Sequence, residues 1–343
     1  MFRFSSILRW AIPGLIFFFI PFHPALTAPP DPQVPGGFHQ VLSAIGVILY
    51  QKEYPNGTPD YVQVIDLSQG ASIEPLLGEI TDPGTGKGVY GGNNPKVVRR
   101  SSKDFWQSFS TSHSAAFCIT NGQFFLLKDS PTTLPFPIKK DGKVLSDGYA
   151  IKEFPEQKLM LEIWPDHLDI IDLNKDTLYS SSAPDIIGGL TEDANKSAKK
   201  SVGRTFVGVQ DRDQDQQYET VLIFSTKTAR QEDAGQVLKD FGADKVMMLD
   251  GGDSTQLICQ DNAYISSERL IPQAIGITAG THLKATPTAV KTKPPTPVAS
   301  QTKQTTSIRT TGTWKDVLWV PAIMLPIVFV LFLIVMLNRR NSS

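Results

Sequence analysis

The sequence predicts an α+β fold: a single domain on a mixed, strand-dominated sheet with few helices. Three observations predict it. Short apolar runs recur through the middle of the chain with the alternation of strands. Only two segments carry helical spacing, and the better of them lies between two strand-like runs. The second of those runs stops abruptly on a carboxylate.

In chain order, 61–67 alternates apolar and polar residues and reads as a strand. A helix is expected over 103–110, then a strand over 115–120 that runs into Asn121 and Gly122. Strands follow over 158–164, 203–209 and 220–225. Over 229–241, Ala234, Val237, Leu238 and Phe241 share one helical face, and Gly242 ends the helix. The last clear strand is the apolar run Val246, Met247, Met248 and Leu249. No internal repeat is visible.

The 343 residues are 41% hydrophobic with a net charge of −1, enough for one core of roughly 200–250 residues plus extensions. No sustained basic stripe argues for nucleic acid. Segment 1–28 has the layout of a secretory signal, with Arg3 and Arg9 before a short apolar stretch; it is either cleaved near Ala28 or kept as an N-terminal anchor. Segment 29–40 is a Pro- and Gly-rich leader, and 41–280 is the globular domain. Segment 281–313 is rich in Thr, Lys and Pro without an acid, the composition of a disordered stalk. Extended, it would reach on the order of 100 Å. Segment 317–337 is almost wholly apolar and is expected to span a membrane; Arg339 and Arg340 place the tail, 338–343, in the cytoplasm. The domain is thus expected to be membrane-anchored on the non-cytoplasmic side, periplasmic or extracellular.

Two segments carry candidate chemistry. Leu249 is followed by Asp250, Gly251, Gly252, Asp253 and Ser254, so a carboxylate stands at the end of a rigid strand, with glycines that admit close backbone and a small hydroxyl beside the charge. A tight turn is the plainer alternative. Upstream, Asn121-Gly122 ends a strand before Phe124 and Phe125, where a hairpin with two core phenylalanines is the alternative. Between them, Arg204 and Thr205 open the 203–209 strand. Cys118 and Cys259 either pair in an oxidising compartment or remain two buried thiols. Segment 211–219 alternates acids as calcium loops do, yet Gln216 stands where such a loop needs glycine, and a solvated hairpin loop reads better. The five histidines show no ligand spacing, so no metal is indicated; calcium is the one cofactor left open.

Taken in order, Asn121 to Phe125, Arg204 to Val209 and Leu249 to Ser254 resemble the phosphodiester glycosidase family. Weaker echoes are Val144 to Gly148, Ile187 to Leu190, and Glu268-Arg269 before Pro272. The resemblance covers roughly residues 60–280, and Asp253 departs from it, since the family usually has a third glycine there. It implies hydrolysis of a sugar-1-phosphodiester in an envelope or extracellular glycan, on a membrane-anchored domain. A phosphate leaving group needs little general-acid help, so such a site needs one carboxylate and a cation. Asp250 is expected to be that carboxylate, as nucleophile or base, with Glu268 in reserve. Arg204 is expected to pair the phosphate bidentately. Asn121, Gly122, Thr205, Gly251, Gly252, Asp253 and Ser254 are expected to contact substrate. Two other classes stay open: a polysaccharide-binding module without turnover, and a metal-assisted phosphodiesterase whose cation Asp250, Asp253 and Asp211 would hold.

Overall fold

Strand pairing dominates the architecture, as the alternating runs require. The computed structural model describes residues 33–55, 57–150 and 153–280. The segments 1–28, 281–313, 317–337 and 338–343 lie outside the described residues, as does the start of 29–40. Among the described residues no helix is long and apolar enough to cross a membrane.

An 11-stranded sheet runs, in spatial order, His39–Ala44, Val47–Lys52, Asp60–Asp66, Thr220–Ala229, Val202–Gln210, Lys245–Met248, Asp185–Thr191, Lys158–Ile163 and Leu168–Asp172. Ile138–Lys140 pairs off this path with Asp185–Thr191, and Lys143–Ser146 pairs with Ile138–Lys140. A 5-stranded sheet runs Asn262–Ile265, Leu257–Cys259, Ala116–Asn121, Gln273–Thr278 and Ser72–Leu77. A pair of short strands, Ile80–Asp82 and Lys96–Val97, completes the pairing. The ladders within these sheets are antiparallel, from the first hairpin through the long central pair to the second sheet.

Strand alternation sets the layers. Val207, Val209, Val221 and Ile223 face one way and form a single core with Phe117, Leu257, Ile275 and Ile277 of the smaller sheet. Phe206, Leu222, Phe224 and Met248 face the other way and pack on Leu238 and Phe241 at the helix Gln231–Asp240. On the outer side of the smaller sheet, Ile119, Ile258 and Ala274 pack on Phe105, Trp106 and Phe109 of the helix Ser102–Ser112. The order is helix, sheet, sheet, helix, which buries the main apolar faces of the two large sheets.

Several boundaries differ from the sequence reading for local reasons. The first strand opens at His39, inside the leader, because His39 and Gln40 already pair through their backbones with Gln51 and Tyr50. The better helix starts at Gln231, because Ala229 still belongs to the preceding strand and Arg230 is extended as its cap. The short helix Lys175–Ser180 has too few turns to leave a period; a capping box of Asn174 and Thr177 holds it instead. Asn121-Gly122 is no hairpin turn, since the next strand begins only at Ile138. Cys118 and Cys259 sit directly opposite in neighbouring strands. They form a disulfide across a Cα separation of 4.0 Å.

Candidate active site

The site forms where the smaller sheet meets the end of Lys245–Met248. That strand pairs with Val202–Gln210, Phe206 opposite Met248. Leu249 then donates its N–H to Thr205 O (2.9 Å) and Asp250 donates to Gly122 O (3.1 Å), so the carboxylate residue is tied to both sheets by its backbone. The two glycines after it have separate reasons. A Cβ on Gly251 would stand 2.5 Å from Gly203 O, so the close approach of two chains excludes a side chain. Gly252 has φ +62°, the left-handed region.

Asn121 is the clip of this junction. Its Nδ2 donates to Asp250 O at 2.7 Å. Its Oδ1 accepts from Thr205 Oγ1 at 2.7 Å and from the Gln256 N–H at 3.2 Å. Asn121 and Thr205, expected as substrate contacts, are fully buried and bonded to protein instead. They hold the loop that carries Asp250. Gly122 is also structural: its Cα lies against the Gln273 amide, whose Oε1 accepts the Gln123 N–H at 2.7 Å.

Asp250 opens into a cleft of about 400 Å³ walled by Phe124, Phe125, Phe136, Tyr149 and Phe154, with Glu153, Lys196, Gly251, Gly252, Asp253, Ser254 and Arg269 as its polar side. A second recess of about 430 Å³ shares Phe124, Phe154, Lys196, Asp250, Gly251 and Gly252 and adds Arg204. Burial pushes the Asp250 carboxyl up to about 6. The Ser254 hydroxyl and the Gly251 N–H, which bond its charged form, offset that in part, as do the charges of Lys196 and Arg269. The group is therefore ionised at neutral pH and stands close to its titration.

Arg204 lies in the wall of the second recess, but not as the two-pronged clamp its position suggested. Nε donates to Ala229 O (3.2 Å), Nη1 to Lys196 O (2.9 Å), and Nη2 to Ser197 O (2.9 Å) and Lys200 O (3.1 Å). A strand-end arginine met a loop of carbonyls, so its planar fork organises residues 196–200 and adds charge beneath them. Burial, with no carboxylate as partner, pulls its pKa down. Glu268 is exposed and lines an adjoining recess with Arg99, Ser267 and Leu270; that recess shares Asp253 and Arg269 with the Asp250 cleft, whose own lining does not include Glu268. Asp253 is engaged with Arg269 Nη2 at 2.8 Å.

Lys196, Phe154 and Tyr149 escaped the sequence reading. They sit in irregular stretches where neither period nor motif marks a residue.

Asp211, Asp213 and Asp215 place carboxylate oxygens within 4.8 Å of one another. The N–H groups of Asp215 and Gln216 donate to Asp211, and that of Gln217 to Asp215. This loop closes the hairpin between Val202–Gln210 and Thr220–Ala229. It therefore lies at the far end of the strand that begins beside Arg204, roughly 20 Å along it. Asp211 therefore cannot share a cation with Asp250 and Asp253, and those three do not form one metal site.

The phosphodiester glycosidase family model matches residues 93–278. The chain belongs to that family, a class of hydrolases acting on sugars in phosphodiester linkage. Among solved structures, the zebrafish N-acetylglucosamine-1-phosphodiester alpha-N-acetylglucosaminidase catalytic domain, auto-inhibited by its pro-peptide, is similar at 14% identity and TM-score 0.48, covering 71% of this chain and 84% of that one. A hypothetical protein from Synechocystis is similar at 12% identity and TM-score 0.41, covering 74% and 64%. An exported protein from Burkholderia pseudomallei is similar at 10% identity and TM-score 0.39, covering 65% and 74%. No curated protein sequence matches the chain.

Proposed function

We propose that this chain hydrolyses a sugar-1-phosphodiester of an envelope or extracellular glycan, cutting the bond between the anomeric carbon and the phosphate oxygen. The observation that carries the reading is Asp250: one partly buried carboxylate, ionised at neutral pH, beside cations in an aromatic-walled cleft. Aromatic walls offer flat faces to a sugar ring. In the step itself, the C1–O bond breaks and the phosphate leaves with the electron pair. Asp250 either attacks C1, forming a glycosyl ester that water then hydrolyses, or takes the proton of a water that attacks C1 directly. The leaving phosphate is a weak base, so its departure needs little help from a general acid, and Glu153 and Asp253, which line the same cleft, need not serve as one. Ser254 and the Gly251 N–H orient the carboxylate, and Asn121 fixes the loop below it.

The same reading places the domain outside the cytoplasm, anchored through 317–337 and raised on 281–313. The Cys118–Cys259 bond supports that side of the membrane, because disulfides persist in oxidising compartments.

Incubating the full chain with a panel of sugar-1-(methyl phosphates) in heavy-oxygen water tests the reaction. Label in the released sugar is expected. Label in the phosphate would mean a phosphodiesterase, and no cleavage of any member would leave a binding module.

A further inference from the structure

Among the described residues, three cations line the two recesses that meet at Asp250: Lys196, Arg204 and Arg269. Their charges are not equally available. Arg204 has its Nε, Nη1 and Nη2 groups on carbonyl oxygens. Arg269 is held by the Asp253 carboxylate at 2.8 Å. Lys196 alone presents a charged group with no hydrogen bond or ion pair, and it lines both recesses. Its ammonium stands 4.9 Å from the Phe124 ring centroid and 5.2 Å from that of Phe154.

The main chain of Lys196 is meanwhile fixed at both ends. Its N–H donates to Gln231 Oε1 at 3.3 Å, and its carbonyl accepts from Arg204 Nη1 at 2.9 Å. Gln231 is in turn anchored, its Nε2 donating to the carbonyls of Glu192 (2.7 Å) and Ala194 (2.8 Å). A flexible side chain thus rises from a rigid base, steadied by two aromatic faces that accept no proton and donate no hydrogen bond. Cation–π contact of this kind restrains a lysine more weakly than a charged acceptor would hold it. An ammonium in that state keeps its three donors for an incoming anion.

We propose that Lys196, rather than Arg204, binds the phosphate of the substrate, and that Arg204 acts by holding the loop which presents it. This rests on the reading of Asp250 as the carboxylate of a phosphodiester glycosidase site. The anion it takes is a phosphate ester attached at the anomeric carbon, set between the ammonium and the sugar-facing carboxylate. The reading also gives Asp253 a part: it holds Arg269, so that Lys196 is the cation of this cleft, which Glu153 also lines, left without a side-chain partner.

The test compares the full chain with Lys196→Met and Lys196→Arg. Inorganic phosphate binding is measured by calorimetry, and kcat and KM are measured on the cleaved member of the methyl phosphate panel and on the matching neutral nitrophenyl glycoside. Lys196→Met is expected to weaken phosphate binding and raise KM for the phosphodiester by roughly 10- to 100-fold. Its loss on the phosphodiester should exceed that on the neutral glycoside by at least about 10-fold, and Lys196→Arg should restore most of both. Equal losses on the two substrates, with phosphate affinity unchanged, would overturn the proposal and leave Lys196 as a residue that only tunes Asp250. The two readings fail separately. A chain that cleaves no panel member yet binds phosphate through Lys196 loses the glycosidase function and keeps the subsite. A chain that cleaves the diester with the same KM in Lys196→Met keeps the function and loses the subsite.

Discussion

Asp250 is under opposed demands, since the burial that shapes the cleft disfavours the charge the chemistry needs. Its carboxyl is raised to about 6. If the ionised form acts, kcat/KM should rise with pH and level off above about 6, which a pH–rate profile from 4 to 8 will show. A flat profile across that range would count against Asp250 as base or nucleophile. The same shift has a stability sign. A carboxyl whose folded pKa is raised contributes stability below its unfolded value near 3.8, and loses it as pH climbs through about 6. Asp250→Asn should therefore stabilise the fold at pH 7, by on the order of 1–3 kcal/mol, with the gain vanishing near pH 4. Denaturant melts at the two pH values check this. Asp250 was legible because an apolar run stops on it and glycines follow. Lys196 was not, because no pattern tells one lysine from its neighbours Lys199 and Lys200 in a polar loop.

At the scale of elements, strand ends decide where the chemistry stands. Both the Asp250 loop and the Asn121 segment leave their strands at the junction of the two sheets, and their hydrogen bonds cross it. The sequence showed that each run ended in polar residues. It could not show that Asn121 faces Asp250 O, because contacts between sheets depend on register. Gly251 and Gly252 should respond differently to substitution. Gly251→Ala drives a Cβ to 2.5 Å from Gly203 O and should cost about 1–3 kcal/mol while displacing the carboxylate. Gly252→Asn suits a left-handed backbone, has open space around it, and should cost less than about 1 kcal/mol. Comparing the two melts, with activity, separates them, and equal costs would contradict the account. The Cys118–Cys259 bond spans 141 positions of sequence, so reductant should lower unfolding stability by about 2–5 kcal/mol. An unchanged melt under reduction would mean the bond does not constrain the unfolded chain.

For the whole molecule, fold class was legible because strand alternation dominates the sequence and helical periods are few. The four-layer order was not, because the pattern shows which residues face inward but not which sheet covers them. An apolar segment followed by two arginines, with a signal-like start, predicts a domain exposed on the outer face of a membrane. Protease added to intact spheroplasts should remove residues 40–280. Protection of the domain would reverse the proposed orientation, and with it the access to an envelope glycan.

The central claim is that Asp250 performs the cleavage, and single-turnover kinetics of Asp250→Asn on the cleaved phosphodiester test it most directly. The substitution keeps the volume and removes the charge. The account predicts a fall in turnover of at least ~10³-fold, with phosphate still bound and the fold as stable as before or more so. Near-normal turnover in that folded variant would contradict it and pass the catalytic role to another carboxylate, with Glu268 the first to replace.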